Sequence, residues 1–133
     1  MIIDTSALVA LAFAEAEAEE MQRALDAADV VGVGAPTLAE TAIVLQAAIG
    51  DAAPRLVAGL VRHLEAEVIP FGDEHWRVAH AAFTRFGKGR HPARLNLGDC
   101  LSYAVARVAG RPLLCKGGDF PLTDLELVRH GAR

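Results

Sequence analysis

The chain has 133 residues, 53% of them apolar, with a mean hydropathy of +0.29 and a formal net charge of −4. That length suits one domain spanning residues 1–133 with a single core, and that composition excludes intrinsic disorder. No apolar run attains the roughly 18–20 residues of a membrane span, and no basic segment precedes the N-terminal apolar stretch, so a soluble cytoplasmic protein without a membrane role is expected.

In chain order, Met1-Ile2-Ile3 is too short for a helix and reads as a strand ending at Asp4-Thr5-Ser6. Thr5 or Ser6 then caps a helix over residues 7–14. Residues 15–28 place Ala, Met and Leu at helical spacing, and residues 30–33 are a short β-branched run. Pro36 marks a helix start that runs to Gly50 and puts Glu40 in its opening turns. A helix over 52–65, a strand over 68–71 and a helix over 74–86 follow. Residues 87–97, with two glycines and a proline, read as a loop. Asp99 opens a helix to Ala109 with Gly110 as its stop, residues 112–115 form a strand, 117–119 a turn, and 125–128 a candidate last strand. Strands alternating with helices predict the α/β class, a mainly parallel central sheet covered on both faces.

In such sheets ligands bind beyond the carboxyl ends of the strands. Asp4, Glu40 and Asp119 fall at predicted strand-to-helix turns, and Asp99 joins them if its helix starts at the same rim. Each acid read alone also fits a helix cap or a turn. Clustered carboxylates repel, so a cluster is matched by a cation or by raised pKa values, and oxygen ligands favour Mg2+ or Mn2+ over zinc. Charge is uneven: residues 1–74 hold 13 acids and three Lys/Arg, residues 75–133 four acids and ten Lys/Arg. A basic half can attract a polyanion although the whole chain is acidic.

Asp4-Thr5-Ser6 after an apolar strand, Glu40 in a Pro-Thr-x-x-Glu helix start, Leu-Asn-x-Gly-Asp-Cys at 95–100 and Gly-Gly-Asp-Phe at 117–120 resemble, in order and spacing, the motifs of the PIN-domain family. More narrowly they resemble the VapC ribonuclease toxins of type II toxin-antitoxin pairs, especially those with a Gly-Lys-Gly-Arg-His loop before the third acid. The resemblance implies a three-layer α/β/α, PIN-like fold and a Mg2+-dependent endoribonuclease, with Mn2+ as a substitute. It also implies a VapB-type antitoxin whose C-terminal segment enters the active-site groove, in a homodimer or toxin-antitoxin hetero-oligomer. Asp4 and Asp99 would bind the metal, Glu40 a second metal or the attacking water, and Ser6 a metal-bound water or the Asp4 carboxylate. Relatives often read Thr-x-Asp-x-Asp-Phe where this chain reads Cys115-Lys116-Gly117-Gly118-Asp119-Phe120. Either Asp119 supplies the fourth acid or the site is a triad.

Lys88, Arg90, His91 and Arg94, with no acid among them, precede Asp99 and form a candidate RNA-backbone contact. An acidic antitoxin segment and plain solvation are the other uses of such a loop. The five histidines show no metal-ligand spacing with cysteine, and Trp76 with Phe71, Phe83 and Phe86 reads as packing. Cys100 and Cys115 form no C-x-x-C pair and read as packing thiols in a reducing compartment. Two rival functions remain: a non-catalytic PIN-like module that binds RNA or a partner, and an aspartyl-phosphate enzyme, for which Ser6 stands where a second Asp is wanted.

Overall fold

The computed structural model describes residues 1–130. Its elements run β1 (Ile2–Ile3), α1 (Thr5–Ala12), α2 (Ala18–Asp26), β2 (Gly32–Gly34), α3 (Ala35–Ile49), α4 (Ala53–His63), β3 (Glu67–Ile69), α5 (Asp73–Phe86), α6 (Leu97–Ala109) and β4 (Leu113–Leu114). The four strands form one sheet in the order β3-β2-β1-β4 with every pairing parallel. Parallel strands must be covered on both faces, and the period of two in β1 and β4 divides the core accordingly. Ile2 and Leu113 join Tyr103, Val105 and Phe86 of α5 and α6 on one side, while Ile3 and Leu114 join Leu8, Met21 and Leu25 of α1 and α2 on the other. The result is the expected α/β/α sandwich with the switch point between β1 and β4.

The ends of the elements differ from the sequence expectation in instructive ways. Asp4, not Thr5 or Ser6, is the N-cap of α1: its backbone is extended and its carboxylate accepts from the Ser6 N–H. A carboxylate competes well for a helix N-terminus because it meets both free N–H groups and the positive end of the dipole. Likewise α6 opens at Leu97, two residues before Asp99, because Asn96 is its cap. The strand expected at 125–128 is reduced to one parallel bridge between Leu113 and Leu127. The segment 87–97 is ordered by a bridge between Gly87 and Leu95, with Ala93 and Leu95 fully buried beneath it.

Contrary to the expectation of no membrane-length run, Ala35–His63 taken as one stretch is long and apolar enough to cross a bilayer. The chain breaks that stretch at Gly50, which adopts φ 65° and ψ −139° before a short 3-10 turn. Neither α3, of 15 residues, nor α4, of 11, then approaches the roughly 20 residues of a span. The two helices fold back on one another through Leu45, Ala53 and Val57, all buried.

Only glycine occupies the Gly50 conformation without strain, and nothing lies near the space a Cβ would take. Gly50→Ala should therefore lower the unfolding free energy by about 1–3 kcal/mol through backbone strain alone. Urea denaturation followed by circular dichroism measures this; an unchanged midpoint would contradict the strained reversal.

Candidate active site

Asp4, Glu40 and Asp99 come from three elements and line one cleft of about 360 Å3 at the carboxyl end of β1, together with Thr5, Ser6, Val9, Glu15, Val44 and Lys116. Asp4 is the most enclosed of the three acids, only 4% exposed. The Ser6 hydroxyl donates to Asp4 Oδ2 at 2.6 Å, and the Ser6 N–H donates to the same oxygen at 3.0 Å. That leaves Oδ1 without a partner inside α1. The Thr5 hydroxyl donates to Glu40 Oε1 at 2.5 Å, linking α1 to α3. Glu40 also rests against Gly98 in the first turn of α6, so closely that any Cβ there would overlap its carboxylate.

Asp99 is fixed by a reciprocal cap. Its N–H donates to Asn96 Oδ1 at 2.9 Å and its own Oδ2 accepts the Asn96 N–H at 3.1 Å. Burial pushes the Asp99 carboxyl up to about 6, the Asn96 N–H opposes that rise, and the charges of Asp4, Asp119 and Glu40 add to it. Asp119 thus lies within electrostatic reach of Asp99, although it does not line the cleft and its side chain caps nothing in the following 3-10 turn. Gly117, at φ 102°, provides the backbone reversal that carries the chain from β4 towards Asp119.

Donor chemistry suits a hard cation: every ligating atom the cleft offers around Asp4, Glu40 and Asp99 is oxygen. No three carboxylates among the described residues are drawn together tightly enough to form a ready three-ligand shell. Mg2+ does not require one, since it keeps several waters and takes one or two protein carboxylates. The residues therefore fit such an ion, which Asp4 Oδ1 and the uncapped Asp99 oxygen would hold.

The basic loop lies apart from this cleft. Lys88, Arg90 and Arg94 are exposed, but none lines it. The His91 ring packs edge-on against Phe86 and its Nδ1 accepts the Ala93 N–H, so it is committed to holding the loop. Sequence reading missed Lys116, Glu15 and Thr5. Thr5 was legible as the hydroxyl beside Asp4, whereas Glu15 and Lys116 meet across 101 positions, a separation no local pattern reveals.

Beneath the carboxylates, burial pushes the Cys115 thiol up to about 12 and that of Cys100 up to about 11, with nearby acids adding to both. Both cysteines are free and buried. Thiols so placed stay protonated at neutral pH and act as packing groups.

These features define a class of protein: a parallel α/β/α sandwich carrying an acidic, oxygen-lined cleft at the strand ends. The PIN domain model matches residues 1–125, and the chain belongs to the PIN-domain family. Ribonuclease VapC36 of Mycobacterium tuberculosis is 46% identical over 127 residues, covering 95% of this chain and 91% of that protein. Among solved structures, M. tuberculosis VapC20 superposes with a TM-score of 0.77 at 23% identity, covering 96% of this chain and 98% of its own. VapBC2 from Rickettsia felis, bound to a promoter DNA fragment, gives 0.75 at 14% identity, with 98% of each chain covered.

The raised Asp99 carboxyl has a sign that can be checked. Its folded pKa, about 6, exceeds the ordinary 3.8, so the fold holds the proton more tightly than the unfolded chain does. Stability is lost as pH rises through this range, and above pH 6 the charged form carries the full cost. Discounted for partial exposure, that cost is about 1 kcal/mol. In metal-free buffer Asp99→Asn should raise the melting temperature at pH 8 by roughly 3–5 °C and give little or no gain at pH 4. An equal gain at both values would contradict it.

Proposed function

We propose that the protein is a Mg2+-dependent endoribonuclease, the toxin of a VapBC-type pair, acting in the cytoplasm as one PIN-like domain over residues 1–133. The observation that carries this is the convergence of Asp4, Glu40 and Asp99 on one strand-end cleft, in a chain of this family with close ribonuclease relatives. Asp4 and Asp99 would hold the ion. Bound there, it would lower the pKa of a water and offset charge building on the phosphate during hydrolysis. Ser6 keeps Asp4 turned so that one oxygen is free, and Thr5 does the same for Glu40, whose other oxygen orients water for in-line attack. Asp119 supplies a fourth negative charge within electrostatic reach of Asp99. Lys88, Arg90, His91 and Arg94 form a more distant contact for the RNA backbone, with His91 shaping the loop.

The cleft has one apolar flank that suits the antitoxin partner. Val9 and Val44 line it, and Phe13, Ile43 and Val44 around them are 43%, 71% and 44% exposed. An exposed apolar flank beside a charged site suits a binding surface. An antitoxin segment with apolar anchors and a cationic side chain would cover the flank and neutralise the carboxylates, blocking both ion and RNA. A chain of related fold occurs in a toxin-antitoxin complex from Klebsiella pneumoniae, which supports such a partner.

The test is cleavage of total RNA by purified protein, with fragment ends sequenced. Wild-type cleavage should require Mg2+ and stop with a chelator. Asp4→Asn should abolish it, at least about a hundredfold, by removing a charged ligand at constant volume. Gly98→Ala should lower it at least about tenfold by displacing Glu40, while the added helix propensity leaves melting unchanged or higher. RNA bound but never cut would instead support the non-catalytic module.

A further inference from the structure

Lys116 is the cationic side chain in the lining of a cleft whose charged residues are otherwise the acids Asp4, Glu15, Glu40 and Asp99. Both its ends are held. Its N–H donates to Ser6 Oγ at 2.9 Å, one step from Asp4, and its Nζ donates to Glu15 Oε1 at 2.8 Å with Glu17 Oε2 3.5 Å away. The three side chains remain 33–39% exposed, so the cluster adds little to stability. The hydrogen bond to Glu15 also raises the lysine pKa and keeps the ammonium charged. A phosphodiester entering this cleft meets four carboxylates, and the loop cations Lys88, Arg90 and Arg94 do not line it. Besides a bound ion, the ammonium of Lys116 is, among the described residues, the cationic group in the cleft lining itself that can receive it.

We propose that Lys116 is a phosphate-holding residue: Glu15 and Glu17 present its ammonium at the cleft rim, and it binds a non-bridging oxygen of the RNA backbone beside the cleaved bond. This rests on the nuclease reading of the same cleft. Glu15 and Glu17 act as a cradle that the ammonium leaves, in part, when phosphate arrives. A lysine suits that exchange because its charge is a flexible point donor rather than a fixed fork.

The experiment measures affinity for a fluorescein-labelled single-stranded oligouridylate in Mg2+ across a salt series, in an Asp99→Asn background that prevents cutting. Lys116→Gln should weaken binding about tenfold and flatten the slope of log affinity against log salt by about 0.7, the value of one single-strand phosphate contact. Lys116→Arg should restore both. Glu15→Gln with Glu17→Gln should tighten binding, whereas a purely structural clasp would make removal of either partner act in the same direction. Arg55→Gln, an exposed charge on α4, should leave the slope unaltered. Parent-like binding by Lys116→Gln, weaker binding by the double glutamine variant, or an equal loss with Arg55→Gln would each overturn the assignment. Absence of Mg2+-dependent cleavage by the wild-type protein would instead overturn the nuclease reading.

Discussion

Like charges at close quarters set the terms for this molecule. Asp4, Glu40 and Asp99 reach one cleft, and the rise of the Asp99 carboxyl to about 6 reports burial reinforced by its neighbours' charge. Every local hydrogen bond nearby counters that cost. Ser6 gives two donors to Asp4, Thr5 gives one to Glu40, and the Asn96 N–H is given to Asp99. These bonds hold one oxygen of each acid and leave the other without a hydrogen bond among the described residues.

Helix ends supply the remaining compensation. Asp4 caps α1 and Asp99 lies in the first turn of α6, so each acid sits near a positive dipole end. Capping and the proposed chemistry are thus not competing readings of these aspartates: the cap fixes the carboxylate and leaves a spare oxygen that the proposed reaction would use. The same economy explains why the strands are only two or three residues long. They need to deliver Asp4, the start of α3 and Lys116 to one edge, and the helices bury most of the core.

Much of this was legible in the residues. Gly50 and Gly110 stop helices as read, the βα alternation gives the parallel sheet, and of the four ordered acids Asp4, Glu40 and Asp99 line one strand-end cleft whereas Asp119 does not. The α1 cap stayed open between Asp4 and the Thr5 or Ser6 hydroxyl because hydroxyls and carboxylates are near-equal caps by propensity, and only the backbone at Asp4 decides between them. The apolar Ala35–His63 stretch was underestimated because Glu40, Gln46, Asp51 and Arg55 break any continuous apolar run while the mean hydropathy stays high, and a single glycine conformation converts it into a hairpin. Position 117 shows the reverse case: the departure from the family pattern was visible, but the clasp of neighbouring Lys116 by Glu15 and Glu17 depends on tertiary approach.

If the cleft is a cation site, binding an ion must relieve the repulsion, and ligand linkage converts that into stability. The direct measurement is the melting temperature of wild-type and Asp4→Asn protein over a Mg2+ titration, without RNA. Wild-type melting should climb with Mg2+ concentration and saturate, while Asp4→Asn should start at or above the wild-type metal-free value and stay flat. Parallel curves for the two proteins, or no response in the wild type, would contradict a metal site built on Asp4.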